Sequence, residues 1–253
     1  MRLVYSPDKR TRDFVTEIIP YDEGLIQVTT SFYLEWFLYL NRYYEPHVTQ
    51  AIKSMAKEDS VCLDVGANIG CHTLAMAHRA RHGRVFAFEP NPTMFERLMF
   101  NIHLNNLKNV TALNLAISDN TGETSLFLPE ASDCNQAKSS MIFSQERGNI
   151  NEIKIRASRV RDLDDLQNLD RCDVIKIDVE GFESVVIREL LEIINEFLPV
   201  IIFEYDVRTW SLAQASLEDV CGLLDRYILV DSKQGTPVSP QGGKDVDVLC
   251  LPR

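Results

Sequence analysis

From residue 61 the chain repeats one rhythm, and that rhythm most constrains the fold: a short apolar run, a turn, then a stretch of helical periodicity. Val61-Cys62-Leu63-Asp64-Val65 is the first run and ends in a glycine-containing turn. A helix is predicted over 69–81, where Gly83 is placed to end it. Strands follow at 84–88, 110–117, 173–177 and 200–203, and helices at 92–105 and 182–197. Apolar strands that alternate with helices imply a parallel sheet covered on both faces. The rhythm changes after a helix near 217–224. The runs 227–230 and 246–249 are separated by residues rich in Gly, Pro, Ser and Lys that hold no crossover helix. A hairpin is predicted there, which places an antiparallel strand in the sheet. The expected class is α/β, a doubly wound sheet, mostly parallel with a C-terminal antiparallel hairpin strand.

The expected domain boundary is near residue 60. Residues 1–59 read as a helical and strand extension, with a strand at 25–28 and a helix from Pro46 to about Lys57. Between them lie Tyr33, Trp36, Phe37, Tyr39 and Tyr43, an aromatic cluster that suits a core or interface, or else a wall of an acceptor pocket. The segment 121–170 fits no simple crossover. Residues 124–128 and 153–156 alternate like paired strands, and the polar stretch 129–151 between them reads as a lid-like loop or plain disorder.

A net charge of −11 argues against nucleic acid as a partner, because phosphate contacts need clustered Lys and Arg. The greasiest stretch, 32–40, is too short to span a bilayer and contains Glu35. The six cysteines show no C-x-x-C pair, and no signal-like apolar run opens the chain. The expectation is a cytoplasmic protein with reduced thiols and no membrane partner. Cys71, at a helix start, reads as a packing residue.

The first strand runs into Asp64-Val65-Gly66-Ala67-Asn68-Ile69-Gly70. Gly66 and Gly70 allow a sharp turn and a close approach to a ligand, which the next helix would meet with free N–H groups. The G-x-x-x-G spacing leaves the dinucleotide fingerprint incomplete. Asp64 at the mouth would repel a pyrophosphate and attract an ammonium group, so the charges favour S-adenosylmethionine over NAD. Glu89 ends the second strand where an acid can grip both ribose hydroxyls. Ser118 and Asp119 end the third strand, where an adenine edge would lie, or form a simple turn. The expected cofactor-binding set is therefore Asp64, Gly66, Asn68, Gly70, Glu89, Ser118 and Asp119.

Four segments, 64–70 (DVGANIG), 88–92 (FEPNP), 116–122 (AISDNTG) and 176–183 (KIDVEGFE), resemble the FkbM-type methyltransferases in order and spacing. Tyr44-Glu45-Pro46 and Phe203-Glu204 are also similar, so the resemblance covers roughly 44–205. It implies a class I methyltransferase, Rossmann-like fold and an O-methyltransferase acting on a hydroxyl of a sugar or other small metabolite. An NAD-dependent oxidoreductase and a non-catalytic S-adenosylmethionine-binding module stay open as alternatives.

A hydroxyl acceptor must lose its proton, which calls for a base or a metal. Asp178, Glu180 and Glu204 lie at the carboxyl ends of the fourth and fifth strands and are the candidate catalytic residues. Lys176 reads as their ion-pair partner. Such a mouth could hold Mg²⁺ or Ca²⁺, but no metal is predicted. His78 and His82 read as a solvated helix face, and His72 could line the cofactor pocket.

Overall fold

The computed structural model describes residues 14–129, 139–142 and 150–253. The chain opens with a hairpin of β1 (Thr16–Tyr21) and β2 (Gly24–Thr29), then α1 (Tyr33–Asn41) and α2 (Pro46–Met55). The alternating region runs β3 (Val61–Val65), α3 (Cys71–Arg79), β4 (Arg84–Phe88), α4 (Pro92–Leu104) and β5 (Val110–Leu113). The short β6 (Ala116–Ile117), β7 (Gly122–Pro129) and β8 (Ile150–Ser158) come next, with α5 (Asp164–Gln167). The chain then returns to β9 (Val174–Ile177), α6 (Glu183–Glu189), α7 (Leu191–Phe197) and β10 (Val200–Tyr205). It ends with α8 (Val207–Leu212), α9 (Leu217–Leu223), β11 (Tyr227–Asp231) and β12 (Val246–Pro252).

Among the described residues the main sheet has seven strands in the order β11-β12-β10-β9-β3-β4-β5. The five strands from β10 to β5 pair in parallel, and β12 is antiparallel to both neighbours. This is the class I methyltransferase arrangement that the sequence pattern predicts. The chain leaves β3 toward β4 on one side and returns to β9 on the other. A crevice therefore opens above the carboxyl ends of β3 and β9, where ligands of open α/β sheets bind.

Both faces of the sheet are covered, so β3 is buried at every position. Leu63, Phe86, Ile175 and Phe203 face Val186, Ile187, Ile194 and Val220 of the helices on one side. Cys62, Val85, Val174 and Ile202 face Val48 and Ile52 of α2 and Met76 of α3 on the other. Residues of α2 thus share a core with the main sheet, across the boundary expected near residue 60. Each fully buried aliphatic chain stabilises the fold by about 1.5–3 kcal/mol relative to exposure.

Three elements differ from the sequence expectation. The strand expected over 110–117 breaks at Asn114, whose amide donates to the Glu89 and Pro90 carbonyls at 2.8 and 3.1 Å. Ala116 and Ile117 then leave the main sheet and pair with β8 in a three-stranded sheet. The helix expected over 182–197 splits at Leu190, which caps α6 and starts α7 with φ −85° and ψ 1°. The strands expected at 124–128 and 153–156 do pair, antiparallel, as β7 and β8. Most of the lid-like stretch 129–151 lies outside the described residues. No helix of the described residues is long and apolar enough to cross a membrane.

Candidate active site

The turn after β3 crosses the end of β4, with the N–H groups of Gly66 and Ala67 donating to the Phe88 carbonyl at 2.9 and 3.0 Å. Gly66 has φ +82°, and a Cβ there would sit 1.8 Å from the Asp178 carbonyl oxygen. Only glycine lets the turn pass so close to the end of β9. Gly70 does different work. It is the N-cap of α3 at φ +99°, and a Cβ would press against Leu98 at 2.8 Å.

Beyond this turn lies a cavity of about 310 Å³. One wall carries Met94, Leu115, Ile117 and Phe182, and Tyr33, Leu34 and Phe37 of α1 line it as well. Its polar lining includes Asn68 and Glu89 from the turns after β3 and β4, the acids Glu45, Asp178 and Glu180, and Ser139 and Tyr44. No lysine or arginine lines it among the described residues. A smaller cleft shares Glu45 and Asp178 with the cavity and continues to Lys176, Glu204 and Asp247.

Glu89 is nearly buried, and each of its oxygens already accepts a backbone hydrogen bond. Oε2 takes one from Asn68 N and Oε1 one from Asn91 N, both at 2.8 Å. These bonds fix the carboxylate and leave one acceptor direction on each oxygen for a diol. Burial pushes its pKa up to about 7, against the pull of the two N–H donors and Lys176.

Asp64 is not a lining residue of the cavity. It is fully buried beneath the turn, where Oδ2 accepts from Thr73 Oγ1 at 2.5 Å and Oδ1 lies 3.5 Å from Lys176 Nζ. The register pairs Asp64 directly with Lys176 across β3 and β9. Lys176 also lies 3.3 Å from Asp178 Oδ2 and donates to the Gly66 carbonyl at 3.1 Å. Burial opposes its charge, but Asp178, Asp64 and Glu45 outweigh that and hold the ammonium above its usual range. The sequence places Asp64 at the mouth to attract a ligand ammonium, whereas the structure puts it beneath the turn and off the cavity lining. The carboxylate is already engaged by Lys176 and Thr73.

The structure brings Gly66, Asn68, Glu89, Asp178 and Glu180 together on the cavity and leaves the other expected residues outside its lining. Ser118 and Asp119 line a neighbouring surface pocket that shares Met141 and Phe182 with it. Glu204 lies in the smaller cleft, where burial and then Asp178, Glu180, Glu183 and Asp247 push its pKa up to about 10. His72 is buried behind the lining, against the Tyr44 ring. Cys71 is buried, and its thiol is pushed up by burial, as suits a packing residue.

Two acids were assigned no role from the sequence. Glu45 lines both cavities, and burial and then Asp178 push its pKa up to about 7. It precedes Pro46 with φ 38° and ψ 65°, a left-handed conformation that costs a non-glycine residue about 1–2 kcal/mol. Strain of that kind persists where surrounding structure holds a residue for a purpose. Glu183 is buried, and its Oε1 accepts from Val179 N at 2.9 Å and Gly181 N at 3.1 Å. Both acids stand inside recognisable motifs, Tyr44-Glu45-Pro46 and 176–183, but Glu45 reaches Asp178 only through the packing of distant segments.

A buried ion pair fastens α1 over the cavity. The Glu35 carboxylate accepts from the Thr29 N–H and from Arg97 of α4. Burial nevertheless pushes Glu35 up to about 7, against the pull of Arg97 and the Thr29 N–H. Glu35 and Glu89 therefore both bind protons more tightly folded than unfolded. Their stabilising contribution is complete below about pH 4.5 and is lost as pH rises through about 7, roughly 3 kcal/mol each. Exposed acids with lowered pKa values, such as Glu58 and Asp59, act in the opposite sense but weakly. Urea unfolding of the ligand-free protein is expected to show a midpoint that falls between pH 5 and 8, with a shallower fall in Glu35→Gln. A midpoint that rises across this range would contradict the assignment.

The family model described as the methyltransferase FkbM domain matches residues 64–227. The chain belongs to the FkbM methyltransferase domain family. Among curated proteins, this FkbM domain is similar to Methyltransferase 1 of Beauveria bassiana, at 31% identity over 53% of the chain and 59% of the relative. It is also similar to the hexuronic acid methyltransferase AglP of Haloferax volcanii, at 31% identity over 57% of the chain and 55% of the relative. The chain thus spans little more than half the length of these two relatives. A solved FkbM methyltransferase from Methylobacillus flagellatus shares the fold, with a TM-score of 0.50 at 16% identity, over 77% of this chain and 44% of that one. The matched region of the FkbM domain includes Glu89, Asp178, Glu180, Glu183 and Glu204, whereas Glu45 lies before it.

Proposed function

We propose that this FkbM domain is an S-adenosylmethionine-dependent O-methyltransferase that methylates a hydroxyl of a sugar or other small metabolite. The observation that carries the reading is the polarity of the cavity: apolar walls with four carboxyl groups, Glu45, Glu89, Asp178 and Glu180, and no lysine or arginine among the described lining residues. Glu89 would accept the ribose diol of S-adenosylmethionine, Met94, Leu115, Ile117 and Phe182 would pack against its purine, and Asp178 and Glu180 would face its positive charge. A pyrophosphate would face carboxylates with no cation on the lining, which argues against NAD.

When bound, the cofactor supplies an electrophilic methyl group on a cationic sulfur, and that sulfur keeps the bonding pair as the new carbon–oxygen bond forms. The residues then have to align the acceptor and remove its proton. Asp178 is paired with Lys176 at 3.3 Å, which ties its carboxylate to the strand below. Glu204 lies in the smaller cleft beside Asp178 and Glu45, where its carboxyl can hydrogen-bond the acceptor. Glu45 sits where the two cavities meet and takes the hydroxyl proton. The AglP relative is named for a hexuronic acid, which supports a sugar acceptor. The acidic cleft here favours a neutral polyhydroxylated ring over a free carboxylate.

The test is transfer of labelled methyl from S-adenosylmethionine to a panel of neutral sugars, uronic acids, small phenols and primary amines. Labelling of a sugar hydroxyl is expected, with base-stable ether linkage. Labelling confined to nitrogen acceptors, or none across the panel, would contradict the proposal.

A further inference from the structure

Asp178, Glu183 and Glu204 come from three separate elements: the loop after β9, the first turn of α6 and the end of β10. A carboxylate oxygen of each lies within 4.8 Å of the other two. Oxygens on opposite sides of a Mg²⁺ or Ca²⁺ ion stand roughly 4–5 Å apart, so this spacing suits one hard cation with little movement. A second observation points the same way. Glu183 is 1% exposed, and while Oε1 is satisfied by Val179 and Gly181, Oε2 has no hydrogen-bond partner. A buried carboxylate oxygen left unpaired is costly, and a coordinated cation removes that cost. The nearby Lys176 ammonium is already shared by Asp64, Asp178 and the Gly66 carbonyl.

We propose that Asp178, Glu183 and Glu204 form a binding site for one hard divalent cation beside the junction of the two cavities. All three ligands are oxygen, which selects Mg²⁺, Ca²⁺ or Mn²⁺ over softer metals. Asp178 lines both cavities, so an ion on it faces the place where an acceptor hydroxyl meets Glu45. There it would bind that hydroxyl and ease loss of its proton. This role rests on the reading of the cleft as an acceptor site; the existence of the ion does not.

The experiment is calorimetric titration of the full chain with Mg²⁺ and Ca²⁺, and paramagnetic resonance titration with Mn²⁺. Saturable binding to one site is expected, weakened at least about tenfold in Glu183→Gln and in Glu204→Gln and unchanged in the surface control Glu192→Gln. Because Glu183 also anchors the 179–181 loop, Glu204→Gln carries the test if Glu183→Gln does not fold. Absence of saturable binding with all three ions would overturn the proposal and leave Glu183 and Glu204 as an acid pair sharing a proton. Binding that both folded variants leave unchanged would overturn it as well. Failure of the methyltransferase reading shows separately, as no labelled product in the presence of these ions.

Discussion

Glu45→Gln is expected to lower kcat by about 10²- to 10⁴-fold, the contribution of a positioned general base. The substitution keeps the shape of the side chain, its approach to Pro46 and its place where the cavities meet, and removes only the ability to accept a proton. Cofactor affinity should change little, since Asn68 and Glu89 lie apart from it in the turns after β3 and β4. The check is a split measurement: single-turnover methyl transfer for chemistry and equilibrium titration for binding. A kcat within roughly threefold of the parent would remove Glu45 from the chemistry. Loss of binding with chemistry unchanged at saturation would make it a cofactor ligand instead.

Lys176→Met is expected to destabilise the fold by about 3–5 kcal/mol, because it leaves a buried charge without its partner. That charge belongs to Asp64, fully buried and held otherwise by Thr73. Asp178 loses its cation too, but its side chain reaches solvent and suffers less. The measure is the urea midpoint at unchanged slope. The double variant with Asp64→Asn should recover much of the loss, since an amide needs no counter-charge. A loss below about 1 kcal/mol, or no recovery in the double variant, would show that the pair is not the keystone beneath the turn.

These two residues show what the sequence could reveal and where it stopped. The sheet was legible because β3, β4, β9 and β10 are mostly apolar runs, a direct consequence of burial on both faces. Gly66 and Glu89 were legible because a positive-φ turn and an acid at the next strand end are local features. Asp64 was placed at the mouth because it ends the same run, but its true surroundings depend on register. Facing Lys176 on β9, it balances a charge beneath the site. Glu45 was missed for the opposite reason: it lies in a helix cap far along the chain, and only packing of α2 against the sheet carries it to Asp178. The break at Asn114 rests on side-chain bonds to the Glu89 and Pro90 carbonyls, contacts that no periodicity signals.

The central claim is that the cavity beside Glu89 binds S-adenosylmethionine, and calorimetric titration tests it most directly. S-adenosylhomocysteine and NAD are titrated in turn into the parent protein and into Glu89→Ala. The account predicts saturable S-adenosylhomocysteine binding, no NAD binding, and binding weaker by roughly 100-fold or more in the variant from loss of two hydrogen bonds to a charged group. Preferential binding of NAD, or S-adenosylhomocysteine binding that Glu89→Ala leaves unchanged, would contradict it.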